Sequence, residues 1–94
     1  MSYRFEWDPA KAAANLRKHG VSFEEAVTVF GDPLSLNMPD PLHSADEDRY
    51  LVLGMSNEQR LLVVAYGERG ERTRILSARK ATRRERHEYE EGQN

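Results

Sequence analysis

The run Leu61 to Tyr66, LLVVAY, constrains the fold of this 94-residue chain more than any other stretch. Six successive apolar residues without polar alternation predict a strand buried on both faces, at the centre of a sheet. Its neighbours supply the rest of that sheet. Tyr50 to Met55 reads as a strand, joined to the run by the turn residues Ser56-Asn57-Glu58-Gln59. Gly67-Glu68-Arg69-Gly70 reads as a hairpin loop, and Arg72 to Ala78 as the next strand. Short connections between these three predict an antiparallel meander. Leu34 to Met38 alternates weakly, as a short edge strand ended by Pro39, Asp40 and Pro41. Tyr3 to Trp7 alternates aromatic and charged residues, the period of a half-buried strand.

Helices are expected at both ends of the sequence. Asp8-Pro9 combines an N-cap with a proline at the first helical position, and Gly20 supplies the stop. Ala12, Leu16 and His19 fall on one face of that helix. Ser22 and Glu25 have capping-box spacing before the stripe Phe23, Ala26, Val27, Phe30, which Gly31-Asp32-Pro33 ends. Thr82 and Glu85 repeat the box before a last helix reaching about Glu91. The order β-α-α-β-β-β-β-α is α+β: two N-terminal helices and a C-terminal helix on an antiparallel sheet, in one domain spanning 1–94. With apolar residues at 38%, one small core is expected. No cysteine is present, which removes disulfides and thiolate metal sites. No run approaches the ~18 apolar residues of a membrane span, and MSYRFEWD has no apolar signal core. The expected location is the cytoplasm.

Charge is unevenly placed. The chain carries formal charge −2, yet Arg72 to Arg86 holds seven Lys/Arg and one Glu. A cationic strip on a slightly acidic protein points to a polyanion or an acidic protein surface as partner. The last helix has Tyr89 as its only large apolar residue, and the pairs Arg84–Glu88 and Arg86–Glu90 support it weakly. It docks through Tyr89, or a partner covers it. Arg79, at the end of a strand on the face of Ile75 and Ser77, suits bidentate phosphate binding. Lys80 and Arg83 follow at the helix entrance. A solvated surface with glutamate partners is the plainer reading of these arginines. His19, at a helix end, is a general acid or base candidate, and a C-cap histidine is the plainer role. His43 and His87 read as surface residues. Asp46, Glu47 and Asp48 lack calcium-loop spacing, paired zinc-ligand spacings are absent, and no glycine-rich phosphate loop is present. Neither a metal nor another cofactor is expected.

Two long segments, FEWDPAKAAANLRKHGVSFEEA and RLLVVAYGERGERTRILSARKATRRERHEYEE, resemble the BrnT family, the toxins of type II toxin–antitoxin pairs. The resemblance rests on W-D-x-x-K, K-H-G-[VI] and I-x-S-A-R-x-A-x-x-x-E-R, and covers nearly the whole chain. Leu34 to Glu47 is its least diagnostic part. It implies a RelE-like fold, metal-independent RNA cleavage that halts translation, and a BrnA-type antitoxin whose complex with the toxin binds its own promoter. A homodimer or a heterotetramer with the antitoxin is a further expectation. Under this resemblance Arg79 would stabilise the phosphorane, helped by Lys80 and Arg60, with His19 moving protons. Glu47 and Arg49 match the family's [ED]-x-R entrance and would line the same groove, with Lys18 and Arg83 also meeting RNA. Arg84, His87 and Tyr89 would face the partner. Trp7 and Tyr66 fit the core better than a base-stacking role. Two alternatives stand beside this reading. One is a catalytically inactive member acting as a binding module in an autorepressing DNA-binding complex. The other is a scaffold whose basic helix docks an acidic partner.

Overall fold

The computed structural model describes residues 4–42 and 48–92. Its elements are β1 (Arg4–Glu6), α1 (Pro9–His19), α2 (Phe23–Thr28), a 3-10 turn (Val29–Gly31), β2 (Leu36–Pro39), β3 (Arg49–Met55), β4 (Leu61–Arg69), β5 (Arg72–Lys80) and α3 (Arg83–Glu91). The element order is the one the sequence predicts. Tyr3, His43, Asp46 and Glu47, named above, lie outside the described residues.

The sheet order is β1-β5-β4-β3-β2. Strands β2 to β5 form the antiparallel meander. β1 departs from a wholly antiparallel sheet, because it lies parallel to β5, pairing Phe5 with Thr73. No hairpin links these two strands, so no tight turn dictates their relative direction. The β4–β5 hairpin is also longer than expected. Arg69 still pairs with Arg72, and Gly70 turns the chain with φ 60°, a left-handed angle that glycine adopts without steric cost.

The run LLVVAY lies centrally and feeds two layers. Leu62, Val64 and Tyr66 face α1 and α2, where they pack with Phe23, Ala26, Val29, Val52, Ile75 and Ala78. Leu61 and Val63 face α3 and pack with Leu53 and Tyr89. Trp7 meets Phe23 edge-on, with centroids 6.0 Å apart, and Tyr66 lies between Phe30 and Tyr50. Both aromatics belong to the core, and the Tyr66 hydroxyl donates to Asn37 Oδ1. Gly54 lets the 3-10 turn approach β3: a Cβ there would sit 2.9 Å from Val29 Cγ1 and 3.0 Å from Ser35 Cβ.

The caps follow local sequence. Asp8 Oδ1 accepts from Ala10 N–H, and Gly20 closes α1 in the left-handed region. Ser22 Oγ accepts from Glu25 N–H. Thr82 and Glu85 form a reciprocal capping box. The inner face of α1 departs from the expected one. Leu16 is 51% exposed, while Asn15 is 7% exposed. Asn15 Nδ2 donates to Val21 O and Ala78 O, and its Oδ1 accepts from Ala78 N–H. Beyond Arg74, β5 has no pairing with β1. The Asn15 amide supplies there the donor and acceptor that a neighbouring peptide would otherwise give.

β5 also breaks its alternation. Ala65 pairs with Ser77 and Tyr66 with Ile75, so Leu76 is an extra residue in a β-bulge. A one-residue slip exchanges faces for everything beyond it. Ile75 therefore shares the α1–α2 side with Ala78, while Arg79, opposite Val63, projects toward α3. The expected common face for Ile75 and Arg79 is thus corrected. Lys80, opposite Leu62, falls on the α1–α2 side.

Candidate functional site

One face of α1, from Lys11 to His19, and the outer edge of β5 bound a cavity of about 230 Å³ lined by Lys11, Ala14, Asn15, Lys18, His19, Leu76 and Ser77. Helical spacing carries two lysines and a histidine to it. Lys11, Lys18 and His19 lie at i, i+7 and i+8 on α1, beside the free length of β5 that Asn15 holds. Among the described residues, none of these three makes an ion pair. His19 is half-buried and Lys18 exposed. The helix C-terminus favours positive charge at that end.

Arg60 stands next to this groove and closes the α1–α2 corner. Its Nε donates to Glu25 Oε2 at 2.9 Å, Nη2 to Glu25 Oε1, and Nη2 again to Gly20 O at 3.0 Å. Ser56 Oγ adds a 2.7 Å bond to Glu25 Oε2. The Arg60 hydrogen bonds hold the Glu25 carboxyl below its ordinary range against the opposing effect of burial, and Lys80 adds attraction. Glu25 keeps its backbone part in the cap of α2, but its carboxylate turns to Arg60 and Ser56 instead of completing the box.

On the far side of the sheet, Arg79 grips Glu85 with both Nη atoms, at 2.8 and 2.9 Å. Glu85 also accepts from Thr82 N–H, so one carboxylate caps α3 and ties it to β5. The Arg79 hydrogen bonds bring the Glu85 carboxyl down to about 2. Tyr89 is 8% exposed and packs on Leu53, Leu61 and Val63. Its hydroxyl donates to Asp32 Oδ2 at 2.7 Å, and burial, then this bond, raise the phenol to about 12. Asp32 is also bonded by Met55 N–H and Leu34 N–H. Burial pushes its carboxyl up, but these donors outweigh that and leave it below the ordinary value.

The sequence-derived candidates therefore fall into groups. His19 and Lys18 share the α1 groove, with Arg60 and Lys80 nearby around Glu25. Arg79 lies across the sheet from Lys80, so the two adjacent cations do not converge on one point. Arg49 lines a second cavity of about 200 Å³ toward the turn end of the β4–β5 hairpin, which Lys11 and Leu76 also line. Arg83 and Arg84 are exposed on the first turn of α3. His87 pairs with Glu91 at 3.3 Å. Tyr89, expected to face a partner, instead anchors α3 to its own sheet, because it is the one large apolar group that helix has to bury. Glu47 lies outside the described residues. Cavity-lining residues that the sequence reading did not put forward are Lys11, Ser77 and Arg74. Lys11 stood in view as the lysine of W-D-x-x-K; Ser77 follows the bulge at Leu76, and Arg74 precedes it, held by Glu6.

Among the described residues no three His, Asp or Glu side chains gather to hold a metal ion, and no helix is long and apolar enough to cross a membrane. The model of the ribonuclease toxin BrnT of type II toxin–antitoxin systems matches residues 7–85. The chain belongs to the BrnT family. BrnT proteins are ribonuclease toxins of type II systems, and such a toxin has an antitoxin partner. The crystal structure of the Brucella abortus ribonuclease toxin BrnT superposes with a TM-score of 0.68, covering 87% of this chain and all of that one. At 21% identity this likeness establishes a shared BrnT fold. The curated proteins contain no match.

Proposed function

We propose that this BrnT-family toxin cleaves RNA in the groove between α1 and β5 by a metal-independent route in which the substrate supplies its own nucleophile. The observation that carries this reading is the convergence of His19, Lys18 and Lys11 on one cavity, all three without ion pairs among the described residues. Arg60 and Arg79 have their forks engaged by Glu25 and Glu85. They act as structural and positioning groups while those pairs stand.

The chemistry needs a base, an acid and positive charge near the phosphate. Neutral His19 takes the proton from the ribose 2′-OH. The 2′ oxygen forms a bond to phosphorus as the bond from phosphorus to the 5′ oxygen breaks. The imidazolium then returns the proton to the departing 5′ oxygen. Lys11 and Lys18 offset the extra negative charge of the pentacoordinate phosphorane. Products are a 2′,3′-cyclic phosphate and a 5′-OH end. Cleavage of this kind in the cytoplasm would halt translation, in line with a RelE-like ribonuclease. A BrnA-type antitoxin would neutralise it, and the complex would bind promoter DNA. Arg84 and His87, exposed on α3, remain candidates for that contact.

The test uses toxin freed of its antitoxin, incubated with single-stranded RNA in EDTA. Cleavage giving cyclic phosphate ends is expected, and His19→Ala should lose about 10²- to 10⁴-fold in kcat with an unchanged melting temperature. A wild-type rate for that variant would remove His19 from the chemistry. A rate that vanishes in EDTA and returns with a divalent metal would remove the metal-independent route.

A further inference from the structure

The cavity toward the turn of the β4–β5 hairpin is not needed for the proton transfers just described, yet it opens beside them. Both cavities are lined by Lys11 and Leu76. The second adds Arg49, Arg69 and Arg74 against Asp48 and Glu68, so among the described residues its cations exceed its carboxylates. Arg74 is already oriented: its Nη1 donates to Glu6 Oε2 at 3.1 Å, in a carboxylate held below its ordinary range by Arg72 and Arg74. A guanidinium has five N–H donors, so this bond fixes the group and leaves donors for another acceptor. The bulge at Leu76 places an extra residue on the shared wall.

Resting on the ribonuclease reading, we propose that this cavity is a second subsite, taking a neighbouring phosphate of the RNA strand, with Lys11 serving both subsites. A strand lying along α1 would pass from Lys18 and His19, over Lys11, to Arg74 and Arg69. The proposal gives the second cavity affinity and register, and leaves bond breaking to the first.

The probe is a fluorescein-labelled single-stranded DNA 12-mer, which carries the same phosphates and cannot be cleaved through a 2′-OH. Its binding is followed by anisotropy across a salt series, alongside RNA cleavage. Arg69→Ala and Arg74→Ala should each weaken binding and reduce the slope of log K against log salt by about 0.7. In cleavage they should raise KM and leave kcat unchanged. Lys11→Ala should reduce the slope and also lower kcat. Because Arg74 helps join β1 to β5, Arg69→Glu, on an exposed residue, gives an independent variant with a larger expected loss of affinity. Wild-type slopes in both Arg69 variants overturn the subsite, as does wild-type protein that fails to bind at about 50 mM salt. If the wild type binds with the expected slopes but cleaves no RNA, the subsite stands and the ribonuclease assignment of the groove falls. If it cleaves while the slopes stay unchanged, the reverse holds.

Discussion

One face of the sheet is closed mainly by apolar packing, with Asn15 and the Glu25–Arg60 pair at its edges, and the other leans on a few directional polar bonds over a smaller apolar cluster. Under α1 and α2, the buried residues include Val21, Phe23, Ala26 and Val29 against four strands' worth of side chains. Under α3, the buried set is Leu53, Leu61, Val63 and Tyr89. The shortfall is met by Tyr89 bonding Asp32, by Arg79 bonding Glu85, and by the capping box. Apolar closure depends on area and tolerates changes in pH. Closure by directional bonds depends on protonation and on a few atoms. The first face is thus a foundation and the second a fastened cover, with the α1 groove belonging to the foundation.

The largest expected effect comes from Phe23→Ala, which removes a fully buried ring and should cost about 3–5 kcal/mol. Urea unfolding should show the whole chain destabilised, and loss confined to the α1–α2 side would contradict a shared foundation. Asn15→Ala should cost about 2–3 kcal/mol, because it strands the Ala78 N–H and two carbonyls in a buried place. Hydrogen exchange should accelerate at Ala78, and unchanged protection there would deny Asn15 its role as a surrogate strand. Tyr89→Phe keeps the ring and removes only the bond to Asp32, so about 1 kcal/mol is expected. Its signature is faster exchange in α3 with the α1–α2 side unaffected. Glu85→Gln should have the smallest effect at neutral pH, below about 1 kcal/mol for a partly exposed pair. Its value lies in acid. The native Glu85 carboxyl is held down to about 2 from an ordinary value of 4.5. The stability it contributes is therefore complete above 4.5 and lost as pH falls toward 2. Melting temperature should fall less steeply through that window in Glu85→Gln than in the wild type.

The parts of this architecture legible in sequence are those decided within a few residues. Asp8, Pro9, Gly20, Ser22 and the Thr82–Glu85 box act over one helical turn, and each lies where its spacing places it. LLVVAY was legible because burial on both faces leaves no room for polar alternation. The illegible parts depend on distant chain. Asn15 is inward because Ala78, 63 residues away and paired with Val64 on one side, lacks a strand partner on the β1 side. Glu25 gives up half of its box because Arg60 arrives from 35 residues on. The direction of β1 rests on tertiary packing with no local turn to announce it. In the candidate site, His19 and Lys18 could be proposed from sequence, but their company could not. Lys11 joins them only when α1 lies along the open edge of β5, and Arg79 leaves them only because of the bulge.

That bulge has a further consequence for how the chain reads out its own numbering. Leu76 acts as a parity switch within a single strand. Before it, odd-numbered residues such as Thr73 and Ile75 address the helix pair; after it, even-numbered Ala78 and Lys80 do. A deletion of that one residue would shorten β5 by the length of a single peptide, yet it would send the downstream guanidinium toward α2 and the ammonium toward the cap of α3. The strand's chemistry is thus set by a count as much as by a composition, and a related chain that differs by one residue at this point would keep the same letters while exchanging their addresses.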